Sequence, residues 1–100
     1  MVNGSAAIET LDGGRSRVVG SLTFATVTGL LPQGTLAITT DHGAVIDLGG
    51  VTDSDSSGLA LLIEWLSVAK AAGRKLRYEN VPAQLQQLAH LSEVEELLVA

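Results

Sequence analysis

The densest group of chemically useful side chains occupies one short polar segment, residues 53–58. Two carboxylates and three hydroxyls stand there in consecutive positions, in the order Asp53, Ser54, Asp55, Ser56 and Ser57, before Gly58. One simple use is helix capping, because Ser and Asp at a helix N-terminus accept hydrogen bonds from free backbone N–H groups. A cap needs one oxygen, so the other hydroxyls are candidates for a further role.

Calcium binding is one chemistry that this pattern suggests. The residues that match ligand or turn positions of the EF-hand loop are Asp53, Asp55, Ser57, Gly58 and Glu64. An EF-hand also needs a helix before its loop, whereas the residues before this segment predict a strand. We therefore expect no metal site.

Nucleophilic catalysis by serine is a second chemistry, with His42 or His90 as the activating base. The G-x-S-x-G elbow is absent, and two histidines among several acids define no catalytic triad. The nucleotide-binding patterns GxxxxGK[ST] and GxGxxG do not occur either. We expect no catalytic residue and no cofactor, and therefore a protein that is not an enzyme.

Regulated docking is the use that remains. A phosphate on Ser57 or Ser56 would add a charge of about −1.5 to −2 at a helix N-terminus, where the helix dipole favours it. Asp53 and Asp55 would oppose that charge, so the stability of the fold would change little. A dianion carried into an apolar interface is costly, so phosphorylation would weaken the binding of a partner there.

The strands that would position the segment follow from hydrophobic alternation and from turn residues. Glycines and Asp12 at residues 12–14 predict a turn, so that the first two strands form a hairpin. An apolar run bounded by glycines on both sides predicts a buried central strand. The predicted strands are residues 6–10, 17–22, 43–48 and 75–81.

Four helices complete the predicted order of elements. The first helix, residues 23–31, is expected from the spacing of Phe24, Val27, Leu30 and Leu31 along one apolar stripe, and Pro32 and Gly34 are expected to end it. The second helix covers residues 59–72 and stops at Gly73. Pro82 is expected in the first turn of a third helix, whose buried stripe consists of Leu85, Leu88 and Ala89. A last short helix is expected from the S-x-x-E capping box formed by Ser92 and Glu95. The order predicts an α/β fold, with a mixed sheet of about four strands and helices packed against it.

The second predicted helix is also a candidate docking surface. Its apolar residues, which include Leu59, Leu61 and Trp65, cover roughly 180° of the helix, more than the minimum of about 100° that a core-facing helix needs. Trp65, the only tryptophan, is expected first in the core and second as an anchor for a partner.

Composition bounds the class of protein. With 100 residues, of which 46% are hydrophobic and 17% charged, the chain is expected to fold as one domain. It has no cysteine, which excludes disulfides, and its net charge of −5 disfavours nucleic acid as a partner. Neither an export signal nor an apolar run of about 20 residues occurs, so a cytoplasmic protein is expected. A local basic cluster consists of Lys70, Arg74, Lys75 and Arg77. It is expected to be a solvated helix end, with contact to a phosphate or a lipid headgroup as the alternative.

Three segments together resemble the STAS domain, a module of anti-sigma-factor antagonists and of transporters. They are the strand at residues 45–48, the run D-S-S-G-L at residues 55–59 that opens a helix, and Gly73 before the next strand. Residues 20–27 and 81–89 are most similar, within that family, to the MlaB-like subunits of bacterial phospholipid ABC transporters. The resemblance implies a single STAS domain over residues 1–100.

This resemblance implies a non-catalytic accessory subunit that binds and stabilises an MlaF-like ATPase subunit, and through it the permease, of an MlaFEDB-like transporter. Such a subunit lies at the inner membrane through the transporter and supports the lipid asymmetry of the outer membrane. The hydroxyl implicated in docking carries over onto Ser56. The alternative is an anti-sigma-factor antagonist that a partner kinase phosphorylates, at a serine that carries over onto Ser57. The candidate partner-binding residues are Asp53, Asp55, Ser56, Ser57, Gly58, Leu59, Leu61 and Trp65.

Overall fold

A four-stranded sheet and three α-helices form the structure, a computed structural model that describes residues 5–40 and 43–98. The strands are β1 (Ala6–Thr10), β2 (Arg15–Leu22), β3 (Gly43–Ser54) and β4 (Lys75–Glu79). The helices are α1 (Val27–Thr40), α2 (Ser56–Ala71) and α3 (Ala83–Leu91), followed by a short 3-10 helix, Glu95–Leu98. His42, considered above as a catalytic base, lies outside the described residues.

The strands lie in the order β1-β2-β3-β4. The hairpin pair β1 and β2 is antiparallel, whereas β2, β3 and β4 are parallel to one another. The two parallel crossovers run through α1 and α2 in the same direction along the sheet, and right-handed crossovers then place both helices on one face. The predicted α/β fold with a mixed four-stranded sheet is confirmed.

The core lies between this face of the sheet and the helices, and Trp65 is its largest fully buried side chain. The indole Nε1 of Trp65 donates a hydrogen bond to the carbonyl of Leu31, at 3.2 Å. Gly34 of α1 packs directly on the same ring, because a Cβ at this position would lie 2.2 Å from two ring atoms. Trp65 therefore joins α1 to α2.

The first helix differs from its predicted extent. It begins at Val27, after a turn in which the carbonyl of Thr23 accepts from the N–H of Thr26 and of Val27. It also continues through Pro32 and Gly34 to Thr40, so the predicted end at these two residues is wrong. Pro32 lacks the N–H for one hydrogen bond of the helix, and packing against the rest of the fold offsets this loss. A helix that stopped at Pro32 would lose the packing of Gly34 and Ile38, which continue the buried stripe that begins at Leu30.

The central strand is also longer than predicted. β3 runs through Gly49 and Gly50 as far as Ser54, although these glycines were expected to end it. A Cβ on Gly50 would lie 2.8 Å from Cγ1 of Val19 on β2, in a region where the pairing of β2 with β3 shifts register. The glycines therefore allow two strands to approach closely at a bulge.

The ends of the last elements differ as well. β4 stops at Glu79, because Asn80 adopts a positive φ of 55°. Pro82 precedes the first residue of α3 and serves as its N-terminal cap position. The predicted capping box is wrong: Ser92 ends α3, and the Glu95 carboxylate accepts from Nδ1 of His90 at 2.9 Å. The C-terminal cap of α3 takes the place of the S-x-x-E pattern, because Glu93 adopts a positive φ of 60° and the N–H of Val94 donates to the carbonyl of Ala89 at 2.9 Å.

Candidate functional site

Asp55 organises the start of α2. Its backbone is extended, and its carboxylate Oδ1 accepts hydrogen bonds from the N–H groups of Ser57 and Gly58, at 2.9 and 3.2 Å. The other oxygen, Oδ2, accepts from the backbone N–H of Phe24 at 3.1 Å. One carboxylate therefore caps α2, which stabilises a helix by about 1 kcal/mol, and also holds the loop between β2 and α1.

Gly58 allows this loop and the helix to meet. A Cβ on Gly58 would lie 2.3 Å from the carbonyl oxygen of Leu22, the last residue of β2. The same carbonyl accepts from the N–H of Asp55 at 3.3 Å. Because any larger residue would push α2 away from β2, the glycine determines how close the helix start lies to the sheet.

Asp53 and Ser54 lie on β3 rather than in a loop, which corrects their predicted place. Oδ1 of Asp53 accepts from the hydroxyl of Ser21 on β2 at 2.5 Å and from that of Thr52 at 3.2 Å. Ser54 is buried, and its hydroxyl donates to Oε1 of Gln84 on α3 at 3.3 Å. These two side chains thus connect β3 with its neighbours.

The EF-hand interpretation fails on this context, since β3 and not a helix precedes the polar segment. Asp53 and Asp55 direct their carboxylates to different protein donors, as described above. Over residues 5–40 and 43–98, no three His, Cys, Asp or Glu side chains are grouped closely enough to hold a metal ion.

Ser56 and Ser57 are the hydroxyl residues of the segment that the fold leaves available. Both lie in the first turn of α2, where Ser56 is exposed and Ser57 half-buried. Neither hydroxyl has a hydrogen-bond partner within the part of the chain that the structure describes. The structure thus places two accessible hydroxyls at the positive end of a helix dipole.

A shallow groove of about 490 Å³ runs beside these serines, between α1 and α2. The residues that line it are Phe24, Val27, Thr28, Leu31, Ser57, Ala60, Leu61 and Glu64. Phe24 stands at its rim with 80% of its surface exposed. We call this surface, with Ser56 beside it, the docking groove.

Phe24 is the site residue that sequence reasoning placed wrongly. The predicted helix over residues 23–31 put Phe24 on its buried stripe, whereas the ring is exposed because the helix starts only at Val27. The turn at residues 23–26 changes the direction of the side chain. Two features of the sequence could have indicated it: Phe24 is the only phenylalanine, and it closely follows a strand that ends beside the polar segment.

The structure also divides the candidate partner-binding residues. Leu59 and Trp65 are 5% and 0% exposed, so their side chains belong to the core and do not offer a free surface. Gly58 is buried against Leu22, and Leu61, 5% exposed, forms part of the groove floor. The candidates that keep accessible surface are Asp53, Asp55, Ser56 and Ser57.

Residues 9–100 match the family model described as the MlaB, STAS domain. The chain belongs to this STAS family. The STAS fold is seen in the anti-sigma factor antagonist SpoIIAA in its unphosphorylated form, with a TM-score of 0.66 and 14% identity over 87% of this chain and 83% of that chain. The phosphorylated form of SpoIIAA, the Bacillus cell fate determinant, gives a TM-score of 0.68 and 14% identity over 93% and 87% of the two chains.

A similar fold also occurs within a much larger protein. The overall structure of SLC26A9 matches 95% of this chain and 21% of that chain, with a TM-score of 0.64 and 20% identity. At these identities the solved structures support the fold alone. No curated protein shows significant sequence similarity to the chain. No helix among the described residues is long and apolar enough to cross a membrane.

Proposed function

We propose that this STAS domain is a non-catalytic accessory subunit of a bacterial phospholipid ABC transporter. In this proposal it docks onto an MlaF-like ATPase subunit in the cytoplasm and stabilises it, and lies at the inner membrane through that subunit and the permease. The transport that it supports maintains the lipid asymmetry of the outer membrane. The family match over residues 9–100, to a model described by the name MlaB, favours this branch.

The observation that carries the proposal is the exposed Phe24 ring at the rim of the docking groove. The Phe24 ring, with 80% of its surface exposed beside a groove, offers apolar area that a partner can bury, and aromatic anchors over grooves are typical of binding hot spots. The backbone of Phe24 is held by Asp55 at 3.1 Å, so the ring is presented from an ordered loop. Ser56 and Ser57 supply hydrogen-bonding groups beside the apolar surface.

The alternative function is an anti-sigma-factor antagonist that a partner kinase switches by phosphorylation. Two observations favour it: SpoIIAA, solved in unphosphorylated and phosphorylated forms, shares the fold, and Ser57 directly precedes Gly58 at the start of α2. A phosphate on Ser57 would enter the docking groove, which this residue lines. Both functions use the same surface, and they differ in the partner.

Affinity purification from the native cell tests both functions. The tagged protein and its variants F24A and Ser56→Asp are compared, with Leu91→Ala on α3 as the matched control because its side chain is 79% exposed. We expect an ABC ATPase with its permease in the wild-type and Leu91→Ala samples, and at least a tenfold loss in F24A, which corresponds to about 1.4 kcal/mol.

The bound proteins are identified by mass spectrometry. Recovery of a small serine kinase of the anti-sigma type instead of the transporter would establish the alternative. Equal recovery of the ATPase by F24A and Leu91→Ala would show that the docking groove is not the contact.

A further inference from the structure

A second groove, of about 600 Å³, lies at the opposite end of the sheet from the docking groove. Residues of the β1–β2 turn and of the first positions of β3 and β4 line it, among them Gly13, Gly14, Val45, Lys75 and Arg77. Its size falls within the roughly 300–1,000 Å³ typical of small-molecule sites.

The cations at this groove come from two strands. The hydroxyl of Tyr78 donates to the carbonyl of Leu62 under the helices, so Lys75 and Arg77 point to the helix-free face of the sheet. Arg15 on β2 and Arg77 on β4 are both register partners of Val45, one on each side. Two strand spacings separate their backbones by roughly 10 Å.

Glu79 positions the two arginines. Its carboxylate accepts from Nη2 of Arg15 and, through its other oxygen, from Nη2 of Arg77 at 3.1 Å. The hydrogen bond from Arg15 is the largest cause that lowers the pKa of Glu79, so this carboxylate stays charged. A guanidinium has five N–H donors, and one contact with Glu79 leaves most of them for another acceptor.

Lys75 adds a third cation, and it has no carboxylate partner within residues 5–40 and 43–98. The groove is open on the hairpin side, since a Cβ on Gly13 would meet no atom within 4 Å. The neighbouring described carboxylates are Glu79, which both arginines share, Asp12, exposed in the turn, and Asp47 on β3, whose charge also acts on Arg15. The Oδ1 atom of Asp47 accepts from the N–H of Gly49 and from Nδ2 of Asn80, at 2.8 and 3.0 Å. A basic groove is notable on a chain whose net charge is −5.

We propose that this groove binds a small anion that carries two or more phosphate groups. Arginine pairs with phosphate oxygens through parallel N–H donors, and lysine supplies a compact positive charge. A ligand with two phosphates reaches cations on the two strands that flank β3, with the Val45 side chain between them as an apolar floor. An anionic membrane is disfavoured, because the acidic remainder of the chain would be repelled.

Titration of the whole chain with inorganic pyrophosphate, followed by amide NMR at constant low ionic strength, tests the proposal. We expect shifts at Gly13, Gly14 and Val45, and a Kd that rises about two- to fivefold in Lys75→Gln, the range for one exposed ion pair. The double variant Lys75→Gln/Arg77→Gln should show a larger loss. Lys70→Gln, which removes the same charge from the exposed end of α2, should bind as the wild type does.

Thermal melting of each variant verifies that it is folded before binding is compared. Absence of shifts in the wild type, or an equal effect of Lys70→Gln and Lys75→Gln, would overturn the proposal. Co-sedimentation with vesicles that contain phosphatidylglycerol forms a second arm. Binding to these vesicles without any response to pyrophosphate would also overturn it, because the surface would then recognise a membrane.

Discussion

Gly34 packs against the indole ring of Trp65, so one added methyl group at this position should destabilise the fold. A Cβ there would lie 2.2 Å from Cε2, 2.2 Å from Cζ2 and 2.5 Å from Nε1 of the ring, far inside van der Waals contact. Overpacking of a core costs about 1–3 kcal/mol, and three close atoms place Gly34→Ala at the upper end. The substitution also gains about 1 kcal/mol of helix propensity. A net loss of about 2 kcal/mol follows.

Thermal and urea unfolding of Gly34→Ala measure this loss. For a domain of this size, 1 kcal/mol shifts Tm by about 4–8 °C, so we expect a decrease of roughly 8–16 °C. Gly29→Ala is the matched control in the same helix, because a Cβ there meets nothing within 4 Å. That variant should equal or exceed the wild type in stability, by up to about 1 kcal/mol.

A double-mutant cycle assigns the effect to the ring. Trp65→Phe removes the indole nitrogen and the outer ring atoms that a methyl group on Gly34 would meet, so Gly34→Ala should cost less in the Trp65→Phe background than alone. If Gly34→Ala melts at or above the wild-type temperature, or if the two substitutions are additive, the contact between Gly34 and Trp65 does not limit the packing of α1 on α2.

Three further outcomes are expected. Asp55→Ala should lower the free energy of unfolding by about 1 kcal/mol through the lost cap, and amide NMR should show the Phe24 loop perturbed, whereas an unchanged Phe24 signal would contradict the shared role of the carboxylate. Ser57→Asp should weaken capture of the partner at least tenfold while Tm changes by less than about 5 °C, which is about 1 kcal/mol; unchanged capture would refute the switch. Burial raises the pKa of Tyr78, the only tyrosine, so its contribution to stability should be constant below pH about 10 and fall above it as the unfolded phenol ionises. Tyrosinate absorbance should then appear only with unfolding, and its appearance in the folded state would refute the burial argument.

Local patterns in the sequence were sufficient for the class of fold and for the cap of α2. The apolar run before residue 49, the turn at residues 12–14 and the D-S-S-G segment all act through neighbours in the chain, and each was located correctly. The extents of α1 and β3 were wrong for one shared reason. Gly34 was expected to end the helix and Gly50 the strand. Each instead lies at a contact between two elements, where Trp65 approaches Gly34 and Val19 approaches Gly50 too closely for a side chain. Such glycines cannot be told from helix or strand ends without knowledge of the partner element.

The site was predicted in part for the same physical reason. Hydroxyl and carboxylate residues of the polar segment could be named because their types are informative, whereas Phe24 could not, because its exposure depends on the turn at residues 23–26. Helical periodicity counted from residue 23 placed the Phe24 ring on the side of the helix that faces the core. The burial of Leu59 followed from its apolar character, but whether it faced the core or a partner depended on how the neighbouring elements pack around α2.

Within the polar segment, the residues that hold the fold together differ from the residues that could be modified. The docking groove could therefore be modified without loss of the fold. The structural contacts of the segment belong to Asp53, Ser54 and Asp55, which bond to β2, α3 and the Phe24 loop. Ser56 and Ser57 follow them, with hydroxyls that no described residue engages. A charge placed on either serine would therefore meet the helix dipole and solvent rather than an existing hydrogen bond. The charge would instead weaken the binding of a partner that covers the docking groove. The same segment can therefore be rigid and still serve as a switch.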